Sequence, residues 1–281
     1  MASNSASISI RTYIAFLPHP LPQDTPIPYT PSLHITNPLN IPLPSEPTST
    51  LVLTTPRSTY LDIRILKPLT PTDNEPLPTR GGPTYRLDWA FAGTSASRLI
   101  SSRESDGVKH STWHHWLDNH YPIGSPEIPL DEGDMYPVSP TLTLEFGTMY
   151  NLPTNSLQNY EEMWKDLPVL ATYPETVKWA MVMKLDEPAY GVRGMVVRLG
   201  QYVQGMLKRG EEVTVERWEF VETKDGEGKV VDGEWTRVVR LGDLMVPCVA
   251  AFEPENVELG TLVTYEHYAW VVDELESWRA E

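Results

Sequence analysis

Apolar and polar side chains alternate along much of the chain with the two-residue period of half-buried β-strands. One segment shows the pattern well, because Leu61, Ile63 and Ile65 fall on one face while Asp62 and Arg64 fall on the other. The alternation predicts antiparallel strands throughout the sequence. Besides this segment, it covers residues 84–94, 141–146, 177–185, 195–199, 211–223 and 230–241.

Short breaks rich in glycine, proline and acidic residues separate these strands. Residues 55–58 predict the turn of a hairpin, and residues 186–191 predict another turn. Residues 224–228 contain two glycines, which can supply the positive φ that hairpin loops need. The last long run, 261–272, carries apolar groups on both faces, so we expect a strand that is covered on both sides.

Proline is concentrated near the start of the chain, where 16 of the 27 prolines lie between Pro18 and Pro83. Each proline fixes φ and removes a backbone donor, so helices are nearly excluded there. Residues 17–47 therefore predict an extended strap laid over a surface, or a partly disordered arm. A flexible insertion without function is the third interpretation.

One segment has helical spacing instead. Leu157, Tyr160, Met163 or Trp164, and Leu167 recur at three- and four-residue intervals, after Asn155 or Ser156 as a cap. We expect one short helix here, ending before proline 168.

The strands before and after this helix suggest two tandem, mainly antiparallel all-β domains. We place an N-terminal domain at 1–152, a linker with the short helix at 153–172 and a C-terminal domain at 173–281. Alternation alone leaves sandwiches and closed barrels open as alternatives.

Composition narrows the functional classes. The chain has 22 Lys+Arg against 38 Asp+Glu, which gives a net charge of −16. Electrostatic repulsion therefore opposes binding to nucleic acid or anionic lipid. No run approaches the ~20 apolar residues of a membrane-spanning helix, and we expect a protein that is neither spanning nor secreted. A single cysteine, Cys248, excludes an internal disulfide framework.

Several motifs occur in a characteristic order. Residues 87–94 read LDWAFAGT, and together with the motifs that follow they resemble the fungal HRI family of casein-kinase-interacting proteins. The further matching pieces are residues 116–118 (WLD), Glu145, Gly147 and Tyr150, residues 162–164 (EMW), residues 186–190 (DEPAY) and residues 200–207 (GQYVQGML).

The resemblance implies two unequal lipocalin-like β-barrels in a cytoplasmic protein, with the nucleus as a second location. It implies casein kinase I and endoplasmic-reticulum translocation components as partners, and no catalytic residue or cofactor. The proline-rich segment departs from the family pattern, which leaves an N-terminal partner surface open.

Residue chemistry offers a metal hypothesis. If residues 110–118 were helical, His110, His114 and Asp118 would share one face, a three-ligand zinc pattern. The alternative, which we favour, is a surface turn without a metal. Cys248 lies among apolar residues, where a thiol ionises poorly. We therefore expect it to be a small core residue.

Acidic clusters are abundant. Residues 131–134 contain three acids, and residues 253–281 hold eight acids against one base. These clusters have two interpretations, an acidic docking surface or a solvent-exposed face without a partner, and we favour the second.

Aromatic residues in predicted strands are the candidates for lining a cavity, although inward side chains can equally fill a barrel. The function hypothesis is a non-enzymatic protein-interaction module, with room for a small apolar ligand in a barrel. The alternative is a cofactor-independent isomerase or cyclase, or a small-molecule carrier. The cavity candidates are Trp89, Phe91, Tyr202, Trp218, Trp235 and Trp270.

Overall fold

A computed structural model describes residues 6–68, 77–151 and 154–279 of the chain. These residues form fifteen antiparallel β-strands and a few short 3₁₀ turns. The first eight strands are β1 (Ser7–Leu17), β2 (Thr48–Thr54), β3 (Thr59–Leu66), β4 (Leu87–Leu99), β5 (Lys109–Asp118), β6 (Asp131–Ser139), β7 (Leu142–Asn151) and β8 (Ser156–Leu167).

The remaining strands form the second sheet. They are β9 (Val177–Glu187), β10 (Val192–Leu199), β11 (Tyr202–Arg209), β12 (Glu212–Lys224), β13 (Val230–Leu241), β14 (Leu262–Tyr265) and β15 (Tyr268–Arg279). The predicted nearly all-β, antiparallel architecture is confirmed. In the described ranges, none of the helical turns has the length and apolar character that a membrane crossing requires.

Strands β1 to β8 close into a barrel in sequential order, with β8 pairing back onto β1. The second domain is a seven-stranded, curled half-barrel in the order β13-β12-β11-β10-β9-β15-β14. Closure leaves the first sheet without free edges, whereas the second sheet ends at β13 and β14.

The short helix predicted for Leu157 to Leu167 is wrong, because these residues form β8. Tyr160 to Trp164 are buried on both faces of the strand, which removes the alternation that identifies strands. With both faces covered, the apolar spacing resembled one side of a helix. The segment therefore completes the first barrel.

The first barrel turns charged residues inward and apolar residues outward. Leu61 and Ile63 on β3 belong to a core shared with Val182 and Val197 of the second sheet. The charged face predicted for β3 is also buried, since Asp62 is only 2% exposed. The two domains thus pack as one unit around an apolar layer between them.

The proline-rich segment follows the opposite side of the barrel as a strap. Ser45 forms an isolated β-bridge with Ile14, and Ile27 packs against an outer cluster that includes Leu144 and Met163. The strap therefore covers apolar side chains on the outer face of β7 and β8.

Candidate functional site

A chain of ion pairs crosses the interior of the first barrel. Arg11 Nε lies 2.7 Å from Glu46 Oε2, and Arg11 also pairs with Glu162. Glu162 in turn lies 3.4 Å from Arg64 Nη1, and Arg64 Nη2 lies 2.8 Å from Asp62 Oδ2. These side chains are only 3–11% exposed to solvent, so each charge depends on its partners.

Aromatic rings surround the guanidinium of Arg64. Its Cζ lies 5.2 Å from the ring centre of Trp89, 5.3 Å from that of Phe91 and 5.9 Å from that of Trp164. Burial lowers the pKa of Arg64, but the nearby carboxylates of Asp62 and Glu162 outweigh it and leave the pKa raised. A permanently charged arginine therefore sits between carboxylates and ring faces.

Glu145 on β7 stands directly opposite Glu162 on β8. Its two oxygens accept hydrogen bonds from the Tyr160 hydroxyl at 2.8 Å and from Trp164 Nε1 at 2.9 Å. Burial, followed by the like charges of Glu162 and Asp131, raises the pKa of Glu145 to about 8. The interior is thus short of positive charge at this position.

Glycine at 147 makes this arrangement possible. A Cβ at Gly147 would come within 2.4 Å of the Tyr160 hydroxyl oxygen. Any side chain there would displace the tyrosine that donates to Glu145. Close packing against Tyr160 therefore explains why this position of the family-like motif is glycine.

A second group lies around His115 on β5. Its Nδ1 is 2.8 Å from Asp118 Oδ2 and its Nε2 is 3.2 Å from Asp131 Oδ2. Phe91 stacks on the imidazole, with ring centres 4.3 Å apart, and Trp89 Nε1 donates to Asp118 at 3.1 Å. Burial lowers the pKa of His115, but the hydrogen bonds to Asp118 and Asp131 outweigh it and raise the pKa above its ordinary value.

The helical zinc pattern and the favoured surface turn are both wrong about the backbone, because residues 109–118 form strand β5. His110 bonds with Asp134 at 2.9 Å, His114 is exposed, and Asp118 is buried beside His115. Among the described residues, no group of three or more His, Cys, Asp or Glu side chains is arranged to hold a metal ion. The three residues of the hypothesis do not converge.

Two buried polar atoms in the first barrel have no hydrogen-bond partner within the described residues. They are the hydroxyl of Tyr60 and Oδ1 of Asp62. Burial, together with Asp131, Asp62 and Asp118, raises the pKa of Tyr60. The phenol thus faces the carboxylates of the interior and remains a neutral donor.

Trp89 and Phe91 are the two cavity candidates of the first barrel, and the structure brings them together. Both lie in the aromatic and carboxylate group described above. Whether they line a ligand cavity stays a prediction.

The four candidates of the second domain lie apart from the first barrel's group. Trp218 and Trp235 converge on Phe252, at ring-centre distances of 5.1 and 4.7 Å. Trp270 is fully buried, and the Tyr202 hydroxyl donates to Glu219 at 3.3 Å. Their role as cavity-lining residues also stays a prediction.

The concave face of the half-barrel is covered by the chain's own residues 244–257. Val246, Cys248 and Ala251 of this segment are buried in one cluster with strand residues such as Val203. A Cβ at Gly205 would come within 2.5 Å of Cys248 Sγ. Burial also raises the pKa of the Cys248 thiol, as expected for a core cysteine.

Buried polar side chains of the second domain fasten it to the first. Lys208 Nζ donates to the carbonyl oxygens of Asp118, Asn119 and Tyr121 at 3.1, 3.0 and 2.6 Å. Gln204 Nε2 donates to the carbonyl oxygens of Leu51 and Leu61 at 3.0 and 3.1 Å, and Arg217 reaches Ser49 and Ile63 in the same way. The domain interface therefore combines an apolar layer with satisfied polar anchors.

A surface recess of about 460 Å³ opens where the two domains meet. Trp116 of the first barrel forms one wall, and residues of β9 and β15 form the other. Arg193 lies 4.9 Å from the Trp116 ring centre and donates to the Trp116 carbonyl oxygen at 2.9 Å. The lining residues are Trp116, Lys184, Leu185, Asp186, Glu187, Ala269, Val271 and Asp273.

Sequence reasoning missed both the charged interior and this recess. The alternation places Asp62 and Arg64 on one face of a strand, but Arg64 contacts Glu162, about a hundred positions away, which local spacing does not show. In the sequence, Trp116 is only part of the short motif WLD at residues 116–118. Both features depend on contacts between residues far apart in the chain, so local spacing gives no signal for them.

Three comparisons place the chain among known proteins. A family model described as Protein HRI1 matches residues 34–274. Protein HRI1 from Saccharomyces cerevisiae strains YJM789 and S288c is 22% identical over 253 residues, covering 83% of this chain and 93% of the relative. The crystal structure of the uncharacterized protein YLR301w from the same yeast matches with a TM-score of 0.63 at 17% identity, covering 96% of this chain and 99% of that chain. The structural match shows a common fold.

Proposed function

The chain belongs to the HRI1 family, and from that premise we propose that it is a non-enzymatic protein-interaction module whose partner surface is formed jointly by its two domains. The recess between Trp116 and β9–β15 is the observation that supports this. Because both domains line it, the recess exists only while they are docked.

Packing within the protein supports the same proposal. The outer face of the first barrel is buried against the second sheet, and the concave face of the half-barrel is covered by residues 244–257. The arginine–carboxylate chain crosses the first interior. The joint outer surface is therefore the better placed for a large partner.

The partner classes follow from the family resemblance. We propose that the partners are casein kinase I and components of the endoplasmic-reticulum translocation apparatus. We propose that binding takes place in the cytoplasm or the nucleus. The net charge of −16 favours partners that present basic surfaces.

The experiment is a direct binding titration of the purified full-length chain against purified casein kinase I and the cytosolic parts of translocation components. We expect saturable binding to at least one of them, weakened by Trp116→Ala. Trp113→Ala is the matched control, since Trp113 lies on the same strand and does not line the recess. Absence of binding at partner concentrations of ~100 μM, near −5.5 kcal/mol, would overturn the proposal.

A second candidate is ligand binding inside the first barrel. The unpartnered Tyr60 hydroxyl and Asp62 Oδ1 support it. Because carboxylates and ring faces surround these atoms, we propose that a small cationic guest would suit this interior better than an apolar one. Native mass spectrometry of the purified protein tests it. A retained small cation lost on Asp62→Asn would support this function, and a spectrum of the bare chain alone would contradict it.

A further inference from the structure

The strap contains a short run in which prolines alternate with other residues. Residues 41–47 read IPLPSEP, and every residue of 41–44 is a proline or directly precedes one. A proline fixes its own φ at about −65° and pushes the preceding residue toward the β or polyproline II region. Residues 41–44 are therefore restricted to an extended backbone of the polyproline II kind, and in the structure they lie outside any strand or turn.

The run is fixed at both ends. On one side, Ile41 N–H donates to Asn37 Oδ1 at 3.2 Å, and Asn37 Nδ2 donates to the Ile41 carbonyl oxygen at 2.8 Å. On the other side, Ile14 and Ser45 exchange backbone hydrogen bonds of 2.9 and 3.2 Å. The residues between these anchors therefore have their conformation before any partner binds.

The middle of the run faces solvent. Leu43 is 78% exposed, and Pro42 is exposed beside it. Within the described residues, the backbone of Leu43 makes no hydrogen bond. A single exposed leucine is common on protein surfaces, but this one is held between two prolines with its carbonyl oxygen unused. The run thus presents an apolar side chain, a proline ring and a backbone acceptor together.

The exposed part of the run carries no charge. No lysine or arginine occurs between Arg11 and Arg57. Glu46, the one charged residue of 41–47, lies 2.7 Å from Arg11. A partner that reads a basic residue beside the prolines therefore finds none here. Recognition of this run depends on the prolines, on Leu43 and on the backbone carbonyl groups.

Polyproline II segments are bound by domains whose grooves are lined with aromatic side chains. Aromatic rings pack against proline rings and aliphatic side chains, and the N–H of Trp or the hydroxyl of Tyr can donate to a carbonyl oxygen. Because the run is already fixed, less conformational entropy is lost on binding than for a flexible chain. The run therefore has the chemistry that such a groove requires.

We propose that residues 41–47 are a docking segment for a partner domain with an uncharged, aromatic-lined groove of the WW type. Pro42 and Leu43 pack on the aromatic side chains of the groove, and carbonyl oxygens of the run accept its hydrogen bonds. Of the described residues, those that line the recess at Trp116 lie outside the strap. The inference therefore goes beyond the proposed function and does not depend on the recess.

The test titrates the full-length chain into a purified, isotope-labelled WW domain that binds proline–leucine–proline peptides, and it follows the NMR chemical shifts of the domain. We expect saturable binding, weakened about tenfold or more by Leu43→Ala and by Pro42→Ala. Ile35→Ala is the matched control, because Ile35 is 74% exposed on the same strap and has no adjacent proline. Trp116→Ala should bind the WW domain as the wild type does.

The outcomes distinguish this inference from the recess proposal. No saturable binding at up to ~1 mM of the chain, or equal weakening by Leu43→Ala and Ile35→Ala, would overturn the docking segment. A synthetic peptide of residues 37–47 that binds at least about tenfold more tightly than the full-length chain would show that the fold shields the run, which would also overturn it. If the WW domain binds as expected while the kinase and translocation partners do not, the docking segment stands and the recess proposal is wrong.

Discussion

The carboxylate of Glu161 on β8 holds Thr30 of the strap with two hydrogen bonds to one oxygen. The backbone N–H of Thr30 donates to Oε2 at 2.7 Å and its hydroxyl donates to the same atom at 2.5 Å. The other oxygen accepts the N–H of Tyr29 at 2.6 Å. A fully buried acid thus satisfies three donors of an irregular segment.

Removing this acid should release the strap. Glu161→Ala leaves the N–H groups of Tyr29 and Thr30 buried without an acceptor, and we expect a loss of about 2–3 kcal/mol in the free energy of unfolding. Protease cleavage should also become faster within residues 18–47. Urea denaturation and limited proteolysis measure the two effects. Glu132→Ala is the control, and equal proteolysis of both variants would contradict the role of Glu161.

The raised pKa of Glu145 predicts a pH dependence of stability. Between its ordinary value of 4.5 and about 8, the folded protein holds a proton that the unfolded chain has released. The free energy of unfolding should therefore fall as pH rises through this window, by up to about 1.4 kcal/mol per pH unit. The raised pKa of His115 acts in the same direction above its ordinary value of 6.5.

Glu145→Gln separates the two contributions, because it fixes the side chain in a neutral form. Its stability relative to the wild type should increase from pH 5 to pH 8, measured by urea denaturation at each pH. Glu132→Gln, an exposed acid of the neighbouring strand, should track the wild type. A constant difference between Glu145→Gln and the wild type would show that Glu145 is ionised throughout.

Lys208 should matter as an anchor between the domains. Lys208→Met removes the donor to three backbone carbonyl groups of the first domain, and we expect a loss of about 2–3 kcal/mol in the free energy of unfolding. Lys229→Met lies in an exposed hairpin turn and should leave stability nearly unchanged. Chemical denaturation compares the two. Similar stability of both variants would remove Lys208 from the interface energetics.

Much of the strand pattern could be predicted from the sequence, because alternation is a local property. The β3 segment with Leu61, Ile63 and Ile65 is an example, and so is the hairpin turn at 224–228. Neither needs information about distant residues. The barrel itself is implied by the resemblance to the HRI family and not by the alternation.

Other features depend on distant partners. The spacing of the 157–167 segment predicts no role for Glu161 or Glu162, yet they are buried beneath Thr30 and beside Arg11, more than 130 positions away. The recess at Trp116 likewise needs the second domain. The spacing of residues in a single sequence does not report these contacts. It therefore could not predict that the charged side chains of the first barrel point inward.

The account depends most on the shared core between the domains. Arg64→Leu leaves the buried carboxylate of Asp62 without its cation, while Glu162 keeps its pair with Arg11, and it should cost about 3–5 kcal/mol. Cys248 is fully buried in the second domain, and its reaction with a thiol reagent across a urea gradient reports when that domain opens. If the domains unfold as one unit, Arg64→Leu shifts the exposure of Cys248 to lower urea together with the loss of circular dichroism. If Cys248 stays protected up to the wild-type urea concentration while the first barrel unfolds, the shared core does not join the two domains.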